Sequence, residues 1–117
     1  MFEFQLTSRV NKDLQDFCRI FKLRKINRIL LKAGTLRRIN PELITFIFAS
    51  LSKDTPAEGA IMSVMFIPAT FRCKSCGKTW TAEDSEFFCP YCSSSDLDIL
   101  RGLEFAVDFL EVESDLF

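Results

Sequence analysis

Apolar side chains recur along this chain in two rhythms. Phe2, Phe4 and Leu6 alternate with Glu3 and Gln5, a period-two pattern that predicts a half-buried strand over residues 2–6. Thr7 or Ser8 then stands ready to cap a helix. Val10, Leu14, Phe17, Cys18 and Phe21 follow at three- and four-residue steps, the stripe of an amphipathic helix. Residues 26–33, INRILLKA, read as a strand, with Gly34 at the turn after it. Asn40-Pro41-Glu42 opens a second helix: an N-cap, a proline at the first helical position and an acid in the first turn. Leu43, Ile44, Phe46, Ile47, Phe48 and Leu51 make that helix apolar on most sides, so it is expected to be well buried. Residues 52–59 form a polar loop, and 61–67, IMSVMFI, a near-continuous apolar strand. After residue 100 the alternation returns. Leu103, Phe105, Val107 and Phe109 share one face, then Leu110 and Val112 continue on the other, which predicts a β-bulge near 109–110.

The element order is β-α-β-α-β-ribbon-β. It predicts an α+β fold: a small mixed β-sheet with two α-helices and an inserted four-cysteine zinc-ribbon subdomain. Residues 1–69 plus 101–117 form the α/β domain, and 70–100 the ribbon. The strands on either side of the ribbon are expected to be neighbours in the sheet. A chain of 117 residues suits one small domain with a subdomain, and its thirteen Phe and 48% hydrophobic content supply a core and argue against disorder.

Cys73, Cys76, Cys89 and Cys92 form two C-x-x-C pairs twelve residues apart. Each pair lets two thiolates converge on one tetrahedral zinc, and the spacer fits a two-hairpin ribbon. Gly77 after the first pair permits the left-handed turn that aims N–H groups at the sulfurs, whereas Ser93 after the second makes a less ideal knuckle. Trp80, Phe87, Phe88 and Tyr91 are expected to pack around the knuckles. Four thiolates leave no open coordination position, so the zinc is structural. Cys18 lies on the apolar stripe of the first helix and reads as a small buried hydrophobe.

The net charge of −1 conceals an asymmetry: residues 1–55 carry +6 and residues 56–117 carry −7. Between Asp16 and Glu42 lie eight basic residues and no acid: Arg19, Lys22, Arg24, Lys25, Arg28, Lys32, Arg37 and Arg38. That stretch is either a docking face for an acidic protein, a nucleotide or RNA, or a solvated face balanced by the chain's own acidic half. The overall charge and the acidic ribbon flank of Glu83, Asp84 and Glu86 count against nucleic acid. With no histidine, no phosphate loop and no Rossmann glycine pattern, an enzyme is not expected. No apolar run reaches the roughly 18 residues of a membrane span. The opening residues lack the regions of a secretory signal, and thiols kept for a metal fit the cytoplasm.

Taken whole, the chain resembles the HypA/HybF family of hydrogenase maturation proteins. The resemblance rests on Glu3, NPELITFIFASLSKDTPAEGA at 40–60, PATFRCKSCGKTW at 68–80, FFCPYC at 87–92 and GLEFAVDFLEVE at 102–113. It implies a small cytoplasmic nickel metallochaperone that works with the GTPase HypB. Its clients would be the large subunit of nickel-iron hydrogenase and, in some organisms, urease through its maturation proteins. It also implies a structural zinc and a nickel site at the extreme N-terminus, built from main-chain nitrogens and the imidazole of the second residue. Nitrogen donors in a square plane suit Ni(II).

The second residue here is Phe2, not histidine, and no other histidine exists to replace it. What remains is a weakened nickel site of main-chain nitrogens at Met1, Phe2 and Glu3, or none, with Phe2 reading as an apolar strand residue. Three functions stand at this point: a HypA-like accessory protein for nickel insertion, a divergent zinc-binding adaptor that does not deliver nickel, and a ribbon-type nucleic-acid binder. The exposed edge of a small sheet leaves both a monomer and a homodimer open.

Overall fold

A computed structural model of the chain describes residues 2–82 and 87–114. Its elements are α1 (Phe2–Ile20), β1 (Leu23–Gly34), a 3-10 turn (Thr35–Arg37), α2 (Pro41–Leu51), β2 (Ile61–Ile67), β3 (Ala69–Cys73), β4 (Thr79–Ala82), β5 (Leu97–Arg101) and β6 (Phe105–Ser114). None of its helices is long and apolar enough to cross a membrane. The chain divides into two compact units: residues 1–32, 39–65 and 105–117, and residues 33–38 with 66–104.

In the first unit the strand expected over residues 2–6 is instead the start of α1. The buried stripe of that helix is Thr7, Val10, Leu14 and Cys18. It runs back at helical spacing to half-buried Glu3, while Phe2 and Phe4 are 49% and 46% exposed. Nucleating a helix is the costly step, and adding a turn to one already formed is cheap. The downstream helix therefore captures five residues whose alternation is too short to compete. Thr7 is consequently an interior residue and not a cap, and its buried hydroxyl has no hydrogen-bond partner. Phe17 and Phe21 also depart from the predicted core: they are 39% and 51% exposed, with ring centroids 4.6 Å apart.

Helix α2 begins as its sequence predicts. The Asn40 side chain accepts from the backbone N–H groups of Glu42 (3.0 Å) and Leu43 (3.3 Å), and Pro41 occupies the first turn. Ile44, Ile47 and Phe48 are its buried positions. The expectation of burial on most sides fails at Phe46, which is 69% exposed, because a helix laid on other elements buries only one stripe. The two helices start at the same end, where the Asn40 N–H donates to the Glu3 carboxylate at 3.4 Å.

The sheet order is β2-β1-β6. The strands that flank the ribbon in sequence are therefore not neighbours, since β1 lies between them. Strand β1 is the longest and contributes the innermost side chains, with Ile26, Ile29, Leu31 and Ala33 all at 1% exposure or less. A central strand is covered along both edges, so its inward side chains are the best shielded. Ion pairs Arg24–Glu113 (3.1 Å) and Arg28–Glu111 (3.7 Å) run in opposite chain directions and mark β1 and β6 as antiparallel. On β6 the half-buried positions pass from Phe105 and Val107 to Leu110, so the phase slips before Leu110 as expected, but Leu103 (47% exposed) and Phe109 (56%) fall off the first face and Val112 (38%) off the second. Val10, Leu14 and Phe17 of α1 face Phe105, Val107 and Leu110 across a groove of about 340 Å³. Strand β2 is less buried than its composition suggests, for Ile61 is 60% exposed and Met65 39%.

The second unit is a three-stranded antiparallel sheet, β4-β3-β5. Phe71, 2% exposed, lies opposite Trp80 on β4 and Ile99 on β5. Trp80 and Phe87 complete the cluster, their rings 5.8 and 6.0 Å from that of Phe71. Of the four aromatics expected around the knuckles, only Trp80 is half-buried, and it packs on Phe71; Phe87 touches the same ring but is 47% exposed. Phe88 and Tyr91 stay 51% and 58% exposed, with the Lys78 ammonium 4.6 Å from the Tyr91 ring.

Candidate metal centre

Strand β3 ends at Cys73, and from there the chain turns back twice in the same way. The Cys73 N–H donates to the Lys78 carbonyl (2.9 Å), and the Gly77 N–H donates to the Cys73 carbonyl (2.8 Å). Sixteen residues on, the Cys89 N–H donates to the Ser94 carbonyl (2.8 Å), and the Ser93 N–H donates to the Cys89 carbonyl (2.8 Å). Both turns need a left-handed residue directly after the second cysteine. Gly77 supplies it at φ 77° and Ser93 at φ 65°. The knuckle that lacks a glycine thus adopts the same geometry, at the cost of placing a Cβ in the left-handed region, ~1–2 kcal/mol.

The result is a two-fold arrangement of sulfurs. The first cysteine of each pair is buried, Cys73 at 1% and Cys89 at 0%, and the second, Cys76 or Cys92, is exposed. The Sγ atoms of Cys73 and Cys92 lie 3.5 Å apart and those of Cys76 and Cys89 3.7 Å, and all four fall within 4.8 Å of one another. A tetrahedral zinc with Zn–S bonds of ~2.3 Å separates its sulfurs by ~3.8 Å. A disulfide needs about 2.05 Å, so these are four free thiols gathered at metal-site spacing. Backbone N–H groups point at the two buried sulfurs, Cys76 at Cys73 (3.5 Å) and Tyr91 at Cys89 (3.4 Å), as a thiolate cluster requires.

These contacts divide the protons unevenly when no cation is present. The Cys76 backbone N–H, with help from Ser75 and the neighbouring thiols, holds the Cys73 thiol down at about 6 against the opposing effect of burial. At Cys92 the backbone contact of Ser94 favours the thiolate, but the hydrogen bond with Cys73, burial and the other cysteines outweigh it, and the thiol is pushed up to about 12. Four thiolates this close need a dication to neutralise them, and Zn²⁺ fits the donor set.

Two serines missed in the sequence tie the knuckles together. The hydroxyls of Ser75 and Ser94 are 3.0 Å apart, and Ser94 also accepts from the Asp96 N–H (3.2 Å). The one available signal was their position, Ser75 inside the first C-x-x-C and Ser94 two residues beyond the second. Lys74 adds ion pairs to Asp96 (3.7 Å) and Asp98 (3.6 Å).

The N-terminal candidates are placed differently. Met1 lies outside the described residues, as do Glu83, Asp84 and Glu86 of the acidic flank. Phe2 and Glu3 form the first turn of α1, and the Glu3 carboxylate holds the Asn40 N–H. Cys18 is 4% exposed and burial raises its pKa, which leaves it an unreactive core thiol. The four cysteines are the one group of three or more potential ligands brought together among the described residues.

The basic stretch is half neutralised from within the chain. Arg19 pairs with Asp16 (2.6 Å), Arg24 with Glu113 and Arg28 with Glu111, while Arg37 donates from Nε to the Leu103 carbonyl (2.5 Å). Among the described residues no ion pair engages Lys22, Lys25, Lys32 or Arg38.

Known proteins share both the fold and the sequence. The chain is 32% identical over 115 residues to the hydrogenase maturation factor HypA of Dehalococcoides mccartyi strain 195, covering 98% of this chain and 97% of that protein. It is 31% identical over 113 residues to HypA of Albidiferax ferrireducens, covering 97% and 100%. The solution structure of the Ni metallochaperone HypA from Helicobacter pylori superposes with a TM-score of 0.74 at 18% identity, covering 97% of this chain and 98% of that one, a likeness of fold. The family profile described as "Hydrogenase/urease nickel incorporation, metallochaperone, hypA" matches residues 1–112. The chain therefore belongs to the HypA family of hydrogenase maturation nickel metallochaperones, with a four-cysteine metal site.

Proposed function

We propose that this protein is a non-catalytic accessory factor in nickel-enzyme maturation, with Cys73, Cys76, Cys89 and Cys92 holding a structural zinc. Its place of action is the cytoplasm. Its partners are a HypB-like GTPase and the large subunit of nickel-iron hydrogenase, with urease maturation proteins as a further client. The α/β domain of residues 1–69 and 101–117 handles the nickel step, and the ribbon of residues 70–100 stabilises the fold through its zinc.

The nickel site of Met1, Phe2 and Glu3 is weakened or absent in this reading. One observation carries it: the chain begins its helix at Phe2, where the family places a histidine, and has no histidine anywhere. The positive end of a helix dipole opposes a bound cation. Glu3, the remaining side chain with a donor oxygen, already accepts the Asn40 N–H. A divergent zinc-binding adaptor that does not deliver nickel is the second reading, favoured by the same absence of imidazole. A nucleic-acid binder fares worse, because three of the eight basic residues are held by carboxylates of this chain.

Calorimetric titration of the zinc-loaded protein with nickel, alongside Phe2→His, tests this. The expected outcome is no tight site in the native chain and a new one in Phe2→His. Micromolar or tighter nickel binding by the native chain would sink the weakened-site reading and leave a histidine-free carrier in its place.

A further inference from the structure

Each knuckle of the metal centre presents one sulfur to solvent and hides the other. Cys76 and Cys92 are exposed, and Cys73 and Cys89 are buried. The contacts between sulfurs run across the knuckles: exposed Cys92 lies 3.5 Å from buried Cys73, and exposed Cys76 lies 3.7 Å from buried Cys89. Every solvent-facing sulfur therefore has a shielded sulfur of the other knuckle beside it. A disulfide bond is about 2.05 Å long, and side-chain rotation is of the size to close the remaining gap. In the zinc-loaded centre all four sulfurs are thiolates. A thiolate that solvent reaches, with a second thiolate beside it, is an arrangement that peroxide oxidises reversibly, because the neighbour captures the sulfenic acid before it oxidises further. Cys18 has neither feature, since it is 4% exposed and belongs to the other unit.

We propose that the four cysteines are a reversible oxidation site for hydrogen peroxide, in which two disulfides across the knuckles, Cys73–Cys92 and Cys76–Cys89, take over from zinc in holding the ribbon together. The Cys92 thiolate attacks one peroxide oxygen: an S–O bond forms, the O–O bond breaks and hydroxide leaves. The Cys73 thiolate then displaces hydroxide from the Cys92 sulfur, and the S–S bond forms. The two thiolates give up two electrons, and the peroxide is reduced to two hydroxides, which become water on protonation. Cys76 and Cys89 react in the same way with a second peroxide. A sulfur in a disulfide is no longer a thiolate, so the set loses its hold on zinc. The crossed links tie the turn after β3 to the turn before β5, two strands that already pair. Links within each C-x-x-C would leave the knuckles untied. The oxidised ribbon therefore stays folded without metal, and a dithiol reductant returns it to the zinc-binding form. This inference rests on the structural-zinc part of the proposed function and not on the nickel reading.

Treatment of the zinc-loaded full chain with graded hydrogen peroxide tests it, with zinc followed by a colorimetric chelator and links mapped by alkylation, digestion and mass spectrometry. The expected result is loss of zinc in step with Cys73–Cys92 and Cys76–Cys89 links, while Cys18 remains a thiol. Dithiothreitol with added zinc should restore the zinc-loaded protein. Dimedone present from the start should label Cys76 and Cys92 about tenfold more than Cys73 and Cys89. The oxidised, zinc-free chain should melt at a higher temperature than the reduced, zinc-free chain. Links within the C-x-x-C pairs overturn the proposal. So do sulfinic acids as the main product, preferential label on the buried cysteines, equal melting of the two zinc-free forms, or zinc retained at peroxide levels that oxidise glutathione in the same solution. Zinc counted before treatment separates the failures. A chain without zinc overturns the structural-zinc reading and this proposal together, whereas a zinc-loaded chain with the wrong links overturns this proposal alone.

Discussion

Gly34 and Gly102 cross with no room for a side chain between them: a Cβ built on Gly34 falls inside the Gly102 carbonyl and against the Leu103 backbone nitrogen. The atoms in the way are main chain, which cannot swing aside. The same crossing is pinned by the Gly34 N–H on the Glu104 carbonyl (2.7 Å) and the Leu36 N–H on the Gly102 carbonyl (3.0 Å). Gly34→Ala should therefore cost about 3 kcal/mol or more, the range of a severe overpacking change. Gly59 makes the comparison. It has φ 77° and open space where a Cβ would go, so Gly59→Ala should cost only ~1 kcal/mol. Urea denaturation of the two variants measures both, and equal losses would show that the crossing opens without penalty.

The two knuckles share one geometry but not one residue, since Gly77 and Ser93 occupy the same left-handed position. Gly77→Ala adds a Cβ there and should weaken zinc retention by ~1 kcal/mol, about fivefold faster loss to a chelator. Ser93→Gly should slow the loss by a smaller factor, because glycine's greater freedom in the unfolded chain offsets part of the relief. A colorimetric zinc-release assay reads both directions. Loss of a ligand is more drastic. Cys89→Ser should abolish zinc binding and melt residues 70–100, while the helical signal of α1 and α2 persists in the amide spectrum. Cooperative loss of the helices would show instead that the ribbon does not unfold separately.

The buried thiol of Cys18 gives a third test. Burial raises its pKa, so at pH 8 a smaller fraction is thiolate than in free cysteine, and the nucleophile is the thiolate. In the zinc-loaded native protein, alkylation of Cys18 should be at least about tenfold slower than that of glutathione, with the rate rising as pH climbs toward the raised pKa. In urea the difference should vanish. Native labelling at the free-thiol rate would mean that α1 opens readily.

Much of this architecture was legible because its signals are local. Asn40-Pro41-Glu42 caps α2 as read, since a cap needs only its own three residues. The cysteine spacing gathers four sulfurs because each C-x-x-C forms its knuckle alone. The slip of phase before Leu110 shows in the burial of β6. What failed depended on distant partners. Residues 2–6 alternate like a strand, but no sheet edge receives them and α1 does. The placement of β1 between β2 and β6 leaves no trace in the order of elements. Gly34 reads as a turn, and nothing near it in sequence announces Gly102. Ser75 and Ser94 meet because the two knuckles do, nineteen residues apart in the chain.

Charge on β1 and its approach divides into a paired set and an unpaired one, and the two make opposite predictions. Arg24 and Arg28 sit across from Glu113 and Glu111, all four side chains more than one-third exposed, so each pair is worth ~0.5 kcal/mol or less. Their positive field is largely cancelled by the partner carboxylate. Lys22, Lys25, Lys32 and Arg38 carry no such partner among the described residues and supply the field that an acidic surface meets first. If the proposed HypB-like GTPase docks on this side, Lys22→Gln with Lys25→Gln should lower the association rate by about three- to tenfold at low salt and flatten its salt dependence. Arg24→Gln should do much less, because it also frees Glu113 from its cation. Stopped-flow association at two ionic strengths separates the cases. Equal effects of the lysine and arginine changes would mean that the partner meets the stretch as a whole, and no effect from either would make it a solvated face.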